Sequence, residues 1–358
     1  MIANVVALGT AVRTAALRRL QAVPKFTEWA YRPIEPAVEL SCRPAVFVPD
    51  QIGRVVRCGF DRSIGSEVEK LAATRWTSGP ASICELRDVL VLGGHVFHSD
   101  GRNLLRDSGV LRALWRGIDA FDSVAVPNSF QGMHYFGHWL RDDCSSHELA
   151  GGFGKVVSIC RPGYRDAPLY SALLGQIWDE HPGFSARKAT FLCDVGFSPK
   201  KAERLRALRA RLRARCRAAN APAIVFIRRG DPDPRRSPQN EDALVSRLEQ
   251  AGVRVVDGES PMKTVIAQVL DAEIIIGMEG SQLAHAVLLL QDGGALIALQ
   301  SPLRFYNPHH EWCRLLDMQY GTVVGTVVED GFEMNADEVL QMVDRIRGEF
   351  REAVYSRL

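Results

Sequence analysis

The feature that most constrains this chain is an alternation of short apolar runs and helical patterns between residues 223 and 299. Residues 223–227, 253–256, 273–276 and 295–299 read as strands, being short, apolar and partly β-branched. Between them, residues 241–250 place Leu244, Val245 and Leu248 on one helical face. Residues 261–270 carry Pro261 at a first helical position, and residues 281–290 form a third helical pattern. Strands alternating with helices through short connections predict a parallel sheet with helices on both faces. Right-handed crossovers then bring the carboxyl ends of the strands to one edge, where open α/β sheets bind ligands.

The first half is less regular. Apolar runs at 45–48, 89–92, 123–126, 156–159 and 190–193 read as strands, with helical patterns at 136–149 and 169–178. Residues 199–219 differ from both halves. Lys and Arg dominate there, while Leu205, Leu208, Leu212 and Cys216 recur at helical steps. A basic helix of this kind can bind anions, lipid headgroups or nucleic acid; a helix joining two lobes, one face packed and the rest solvated, is the favoured reading. The expected division is an N-terminal lobe over 1–198, a connecting helix over 199–219 and a C-terminal lobe over 220–358.

Composition narrows the function. The formal net charge of +2, from 44 Lys and Arg against 42 Asp and Glu, argues against a dedicated nucleic-acid binder. None of the eight cysteines forms a C-x-x-C pair, so a zinc ribbon is not supported, and reduced thiols in the cytoplasm are expected. No apolar run is long enough to cross a bilayer. Residues 2–20 read as a terminal helix packed on the body, with a peripheral amphipathic membrane contact as the alternative.

Two clusters carry chemistry. The segment Ile274-Ile-Ile-Gly-Met-Glu-Gly-Ser-Gln-Leu283 is strand, glycine-bearing turn and helix. Gly277 and Gly280 permit close approach of a ligand, and backbone N–H groups at Gly280, Ser281 and Gln282 suit an anion such as a diphosphate. Glu279 beside a diphosphate is repulsive and fits a sugar or ribose hydroxyl better. Arg228 ends an earlier strand and should converge on this turn, with Arg229, Arg235 and Arg236 following. An ordinary strand-to-helix turn with solvated loop arginines is the bland alternative.

The second cluster is Asn128-Ser-Phe-Gln-Gly-Met-His-Tyr-Phe-Gly-His-Trp-Leu-Arg-Asp-Asp143. On a helix, His138 and Asp142 share a face and can hydrogen-bond, one of them taking a proton from a hydroxyl. Tyr135 and Trp139 could stack on a sugar or base; His134 and Asp143 complete the acceptor-side candidates. A satisfied core histidine and an ordinary core tryptophan are the competing reading. No third ligand has a metal-site spacing.

In this order the pieces resemble glycosyltransferase family 61. The resemblance rests on His138-Trp-Leu-Arg-Asp142, on Arg228 followed by Arg236-Ser-Pro-Gln-Asn-Glu241, and on Gly277-Met-Glu-Gly-Ser-Gln-Leu283. It spans roughly residues 120–325. It implies an α/β fold of GT-B type, two Rossmann-like lobes with the active site between them. It also implies a nucleotide-sugar donor, UDP-linked in expectation, no cofactor, and inversion at the anomeric carbon without a required metal. Asp142, helped by His138, would act as base on a glycan hydroxyl of a capsule-type polysaccharide. Arg228 and the 277–283 turn would hold the diphosphate, with Glu241 orienting the arginine cluster or touching the donor. The chain departs from the family at Glu279, where a histidine is usual; His285, a turn beyond Ser281, would partly substitute. Residues 304–310 would line the nucleotide or acceptor site. The alternatives are a pyruvyl- or phosphoryl-type transferase on polysaccharide precursors and a non-catalytic, degenerate transferase acting as a binding subunit.

Overall fold

The computed structural model describes residues 29–106, 109–160, 163–216, 223–229, 233 and 235–355. The terminal helix expected at 2–20 lies outside them. Seven strands form the first sheet: β1 (Arg32–Glu35), β2 (Ala81–Leu92), β3 (His95–His98), β4 (Gly101–Leu104), β5 (Asp119–Val126), β6 (Lys155–Val156) and β7 (Gly183–Cys193). Their order is β4-β3-β2-β7-β5-β6, with β1 also paired to β2. The expected Rossmann-like first lobe is not what forms. β2 is antiparallel to β1, β3 and β7, and only the β5–β7 and β5–β6 pairs are parallel. The cause is local: Gly93 and Gly94 join β2 to β3 with φ of +55° and +85°. Two positive φ angles in a two-residue loop make a type I′ hairpin, so no crossover helix is needed.

The second sheet bears out the alternation. β8 (Ile224–Arg228), β9 (Arg254–Asp257), β10 (Ala272–Met278), β11 (Leu290–Gln300) and β12 (Gln319–Val324) are all parallel, in the order β9-β8-β10-β11-β12. β12 is an addition to the four expected strands. Alternate side chains serve opposite faces. Val225, Ile227 and Ile275 pack with the helix Met262–Val269, while Phe226, Ile274 and Ile276 pack with Glu241–Gln250 and Ala336–Tyr355. The chain leaves β8 for β9 on one side and returns to β10 on the other. The crevice at such a reversal, outside the carboxyl ends of the two central strands, is where this strand order places a ligand.

The halves share packing. The expected strand at 45–48 is only a bridge from Val46 to Gly321 on β12, and Arg54 pairs with Glu338 at 2.6 Å. Glu67 accepts from the Asn307 backbone N–H at 2.8 Å. The boundary at 198 therefore divides strands but not contacts, because residues 45–67 have their partners on the second sheet. The largest apolar cluster likewise joins Trp139, Tyr170 and Leu208 to Ile266, Leu296 and Trp312.

The basic helix Pro199–Arg215 lies in this junction and is more buried than expected. Ser198 caps it, accepting from Lys201 N–H at 3.1 Å. Its arginines clamp the helices on either side. Arg209, 2% exposed, donates to the carbonyls of Val287 and Leu290; Arg211 and Arg215 donate to those of Leu174 and Leu173. Carbonyls at helix ends lack intrahelical donors, which explains the demand for cations. Among the described residues, no helix is long and apolar enough to cross a membrane.

Candidate active site

The expected helix at 136–149 forms with one alteration. Phe136–His138 is an α turn, Trp139–Asp143 a π turn and Cys144–Ala150 α again. His138 and Asp142 still meet: Nδ1 lies 2.7 Å from Asp142 Oδ2. Arg141 donates from Nε to Oδ1 at 2.9 Å and from Nη2 to Oδ2 at 2.8 Å. Lys201, from the basic helix, donates to Oδ1 at 2.6 Å with its side chain wholly buried. Nothing in local spacing linked Lys201 to this site, 59 residues away.

These partners reverse the roles expected of the pair. Burial alone would raise the Asp142 carboxyl. The charges of Arg141 and Lys201 and the hydrogen bonds of His138 and Arg141 outweigh it and hold the group far below the usual carboxylate range. A carboxylate so stabilised, 1% exposed, is a poor proton acceptor. His138, with its side chain 31% exposed, is the member that faces solvent. Arg141 Nη2 also lies 2.9 Å from His138 Nδ1, but both can donate to Asp142 at once. With Nδ1–H donating to Asp142, the Arg141 Nη2 group shares the carboxylate rather than donating to the ring, and Nε2 is the acceptor.

Asp143 and Trp139 are not acceptor-side groups. Asp143 is fully buried and accepts from Ser129 Oγ at 2.6 Å, fastening the turn before the helix; burial pushes its carboxyl well up. Trp139 is fully buried against Phe136, Tyr164 and Trp178. Tyr135 remains exposed at 44%, 6.0 Å from His138 between ring centres, and His134 stacks on the exposed Phe130.

The second cluster meets the first directly. A Cβ on Gly137 would lie 3.2 Å from the Ala284 Cβ and 3.5 Å from the Ser281 Cα, so the two backbones touch. Gly277 sits inside β10, where Leu283 and the Ile227 carbonyl leave little room. Gly280 has φ +149°, a region that favours glycine, and its missing Cβ would strike Arg229 and come within 3.1 Å of Arg236 Nη2. The turn thus lies beneath two guanidinium groups. Ser281–His285 is a 3₁₀ turn and Ala286–Leu289 an α turn, in place of one helix, because Leu283 N–H bonds back to Gly280 O at 3.0 Å.

Arg229, not Arg228, is the arginine at the turn, donating to the Glu279 carbonyl at 2.7 Å. Arg228 points the other way, to Glu241 at 3.0 Å and Asp242 at 2.8 Å. Successive strand-end side chains alternate in direction, which separates the two neighbours. Glu279 is buried against Arg304. Burial raises its carboxyl, and Arg304, Arg229 and Arg236 only partly offset this. It is a counter-ion of the arginines. His285 is no substitute cation: it is buried, bonded to Tyr170 Oη at 2.8 Å, and lowered by burial to about 4. In the 304–310 segment, Arg304 and Tyr306 reach the surface, while His309 Nε2–H donates to Gly280 O at 3.0 Å and Nδ1 accepts from Trp312 at 3.0 Å. Burial lowers His309 to about 3, so it is neutral.

Two cavities flank the Gly280 turn. One, about 530 Å³, is bordered by Phe136, Tyr164, Arg229 and Gln282, with the Asp166 and Glu259 carboxylates. The other, about 370 Å³, is bordered by Arg236 and Arg304. Among the described residues, no group of three or more His, Cys, Asp or Glu is arranged to hold a metal ion.

Residues 136–297 match the family model Glycosyltransferase 61, a span that holds His138, Asp142, Arg229, Arg236 and the Gly280 turn. This segment belongs to glycosyltransferase family 61. Membership supports a glycosyltransferase activity for the chain. The family segment ends before Arg304 and His309 and begins after residues 45–67, so those wall and support residues lie outside it. No curated protein matches the chain.

Proposed function

We propose that the protein is an inverting, metal-independent glycosyltransferase. It moves a sugar from a nucleotide-diphosphate donor, UDP-linked, to a hydroxyl of a glycan in polysaccharide synthesis. The observation that carries this reading is the contact of Gly137, the residue before His138, with Ser281 and Ala284 just after a glycine turn that lies under Arg229 and Arg236. A base and an anion cradle are thereby set side by side.

In this mechanism His138 Nε2 takes the proton of the acceptor hydroxyl as that oxygen attacks the anomeric carbon. The new C–O bond forms on the face opposite the breaking bond to the diphosphate, so configuration inverts. Asp142 orients the imidazole and stabilises the imidazolium. Arg229 and Arg236 neutralise the leaving diphosphate, supplying charge that other enzymes take from a metal. General-base catalysis contributes about 10²–10⁴-fold. The aromatic cavity suits the nucleoside, with Phe136 and Tyr164 for the base and Asp166 or Glu259 for the ribose diol.

We read the two sheets as a variant of the GT-B arrangement, with a mixed first sheet and a core fused through the basic helix. The acceptor side falls within 1–198 and the donor side within 220–358. Eight free cysteines suit a reducing compartment, the cytoplasm.

The test is calorimetric titration with UDP and other nucleotides, then product analysis with the matching sugar donors. UDP should bind, and His138→Ala should keep that binding while losing transfer. A fully active His138→Ala would remove the base assignment. One observation favours a second reading, a degenerate binding subunit: Glu279 already neutralises Arg304. That reading predicts nucleotide binding without turnover for any donor.

A further inference from the structure

The cavity of about 370 Å³ on the far side of Gly280 is within the size range of ligand sites but differs in chemistry from its neighbour. Arg57, Arg235, Arg236 and Arg304 line it with Asp61 and Asp233; Arg235 donates from Nε and Nη2 to the Asp233 carboxylate at 3.1 Å each, and Arg304 holds Glu279. Its remaining prominent feature is Phe60, 57% exposed. The Phe60 ring is flanked by the Arg304 guanidinium at 5.1 Å and by Tyr306 at 4.9 Å between ring centres. Phe60 and Asp61 both have φ of +55°, a conformation non-glycine residues seldom adopt. Tandem left-handed residues of this kind persist where surrounding contacts impose them, and they gather at binding sites. Here the loop is tied down by the Gly59 N–H to Phe305 O bond at 3.0 Å and the Phe305 N–H to Arg57 O bond at 2.9 Å.

An exposed aromatic ring amid arginines has two complementary capacities. The ring face takes the apolar C–H face of a sugar, and guanidinium forks take carboxylate or phosphate oxygens in pairs. The cavity also adjoins the reaction centre. Arg236 covers Gly280, and Arg304 holds Glu279 of the same turn. With the nucleoside in the aromatic cavity and the diphosphate at Gly280, the basic cavity is left on the acceptor's side of the turn.

We propose that this cavity binds the acceptor and selects an acidic one: a glycan carrying carboxylate or phosphate groups, its sugar ring resting on Phe60 and its anion held by Arg57 and by Arg235, which exchanges the Asp233 carboxylate for the ligand's. This rests on the donor assignment above for direction, though not for binding itself.

The experiment titrates the full chain by calorimetry with tetragalacturonate, with maltotetraose and with mannose 6-phosphate, in 50 mM and 300 mM salt. An acidic probe should bind, more weakly at the higher salt, and maltotetraose should not. Binding by tetragalacturonate alone assigns a carboxylate acceptor; binding by mannose 6-phosphate alone assigns a phosphorylated one. Arg57→Ala and Arg235→Ala should each weaken the acidic probe at least tenfold and leave UDP affinity unchanged. Phe60→Gly, which removes the ring while relieving the backbone, should do the same with an unchanged melting temperature. Equal binding of maltotetraose overturns the proposal, as does a loss of UDP affinity in Arg57→Ala, which would assign the cavity to the donor. Absence of binding by both acidic probes overturns it too. If UDP fails to bind the wild type while an acidic probe binds at these arginines, the donor reading falls and the acidic site stands.

Discussion

Asp142→Asn is the substitution that separates a proton acceptor from a buried anchor. Asp142 is 1% exposed, and its two oxygens accept from Lys201, Arg141 and His138. Removing the charge leaves Lys201 and Arg141 buried without their anion; breaking one side of a buried ion pair costs about 3–5 kcal/mol. At roughly 1.3 °C per kcal/mol for a chain of this size, the melting temperature should fall by about 4–7 °C. His138→Ala removes a partly exposed ring and should shift melting by about 1 °C or less, yet lower kcat by about 10²–10⁴-fold. Because Asp142 acts through His138, the double variant should be no slower than His138→Ala alone. The assays are thermal unfolding and sugar transfer, run on the two single variants and the double. An Asp142→Asn variant of wild-type melting temperature would refute the buried network. Further loss of rate in the double variant would return Asp142 to the role of base.

Three further outcomes follow from the geometry. Arg229→Ala should weaken UDP binding by about 10–100-fold, the worth of a hydrogen bond to a charged group, whereas Arg228→Ala should change it less than threefold; the reverse order in calorimetry would remove Arg229 from the diphosphate. Gly280→Ala should abolish nucleotide binding, since the added carbon strikes Arg229 and the backbone sits at φ +149°; retained affinity would move the anion elsewhere. Stability should also fall as pH drops from about 6.5 towards 4. His285, His309 and His310 are lowered by burial to about 4, 3 and 3, so the unfolded chain takes up protons first. Each contributes up to about 2 kcal/mol of loss at pH 5, the full stability being present above pH 6.5. A flat melting temperature from pH 7.5 to 5 would contradict this burial.

Periodicity carried the second sheet. Alternating apolar runs and amphipathic helices leave a chain few options beyond a parallel, doubly covered sheet. The first sheet was less legible, because its strands run from exposed to buried stretches without regular alternation, as in Asp119–Val126, and one Gly-Gly pair decides between hairpin and crossover. The strand β12 is not legible from periodicity either, because Gln319, Gly321 and Thr322 interrupt its apolar run although all six residues are buried.

At the site, spacing along one helix was enough to pair His138 with Asp142, and the glycine turn after β10 was visible as a turn. Which of the pair faces solvent was not, because Lys201 reaches Asp142 from a helix that begins 57 residues later in the chain. The basic stretch at 199–215 is the clearest case. Its sequence fixes a cationic helix with one apolar stripe. Only the folded chain decides that the cations are consumed by helix-end carbonyls and buried acids, since desolvation leaves a charge no alternative but a partner. Likewise Arg228 and Arg229 are equivalent in composition, and only the alternation of side chains at the end of β8 sends one to Glu241 and the other to the Gly280 turn.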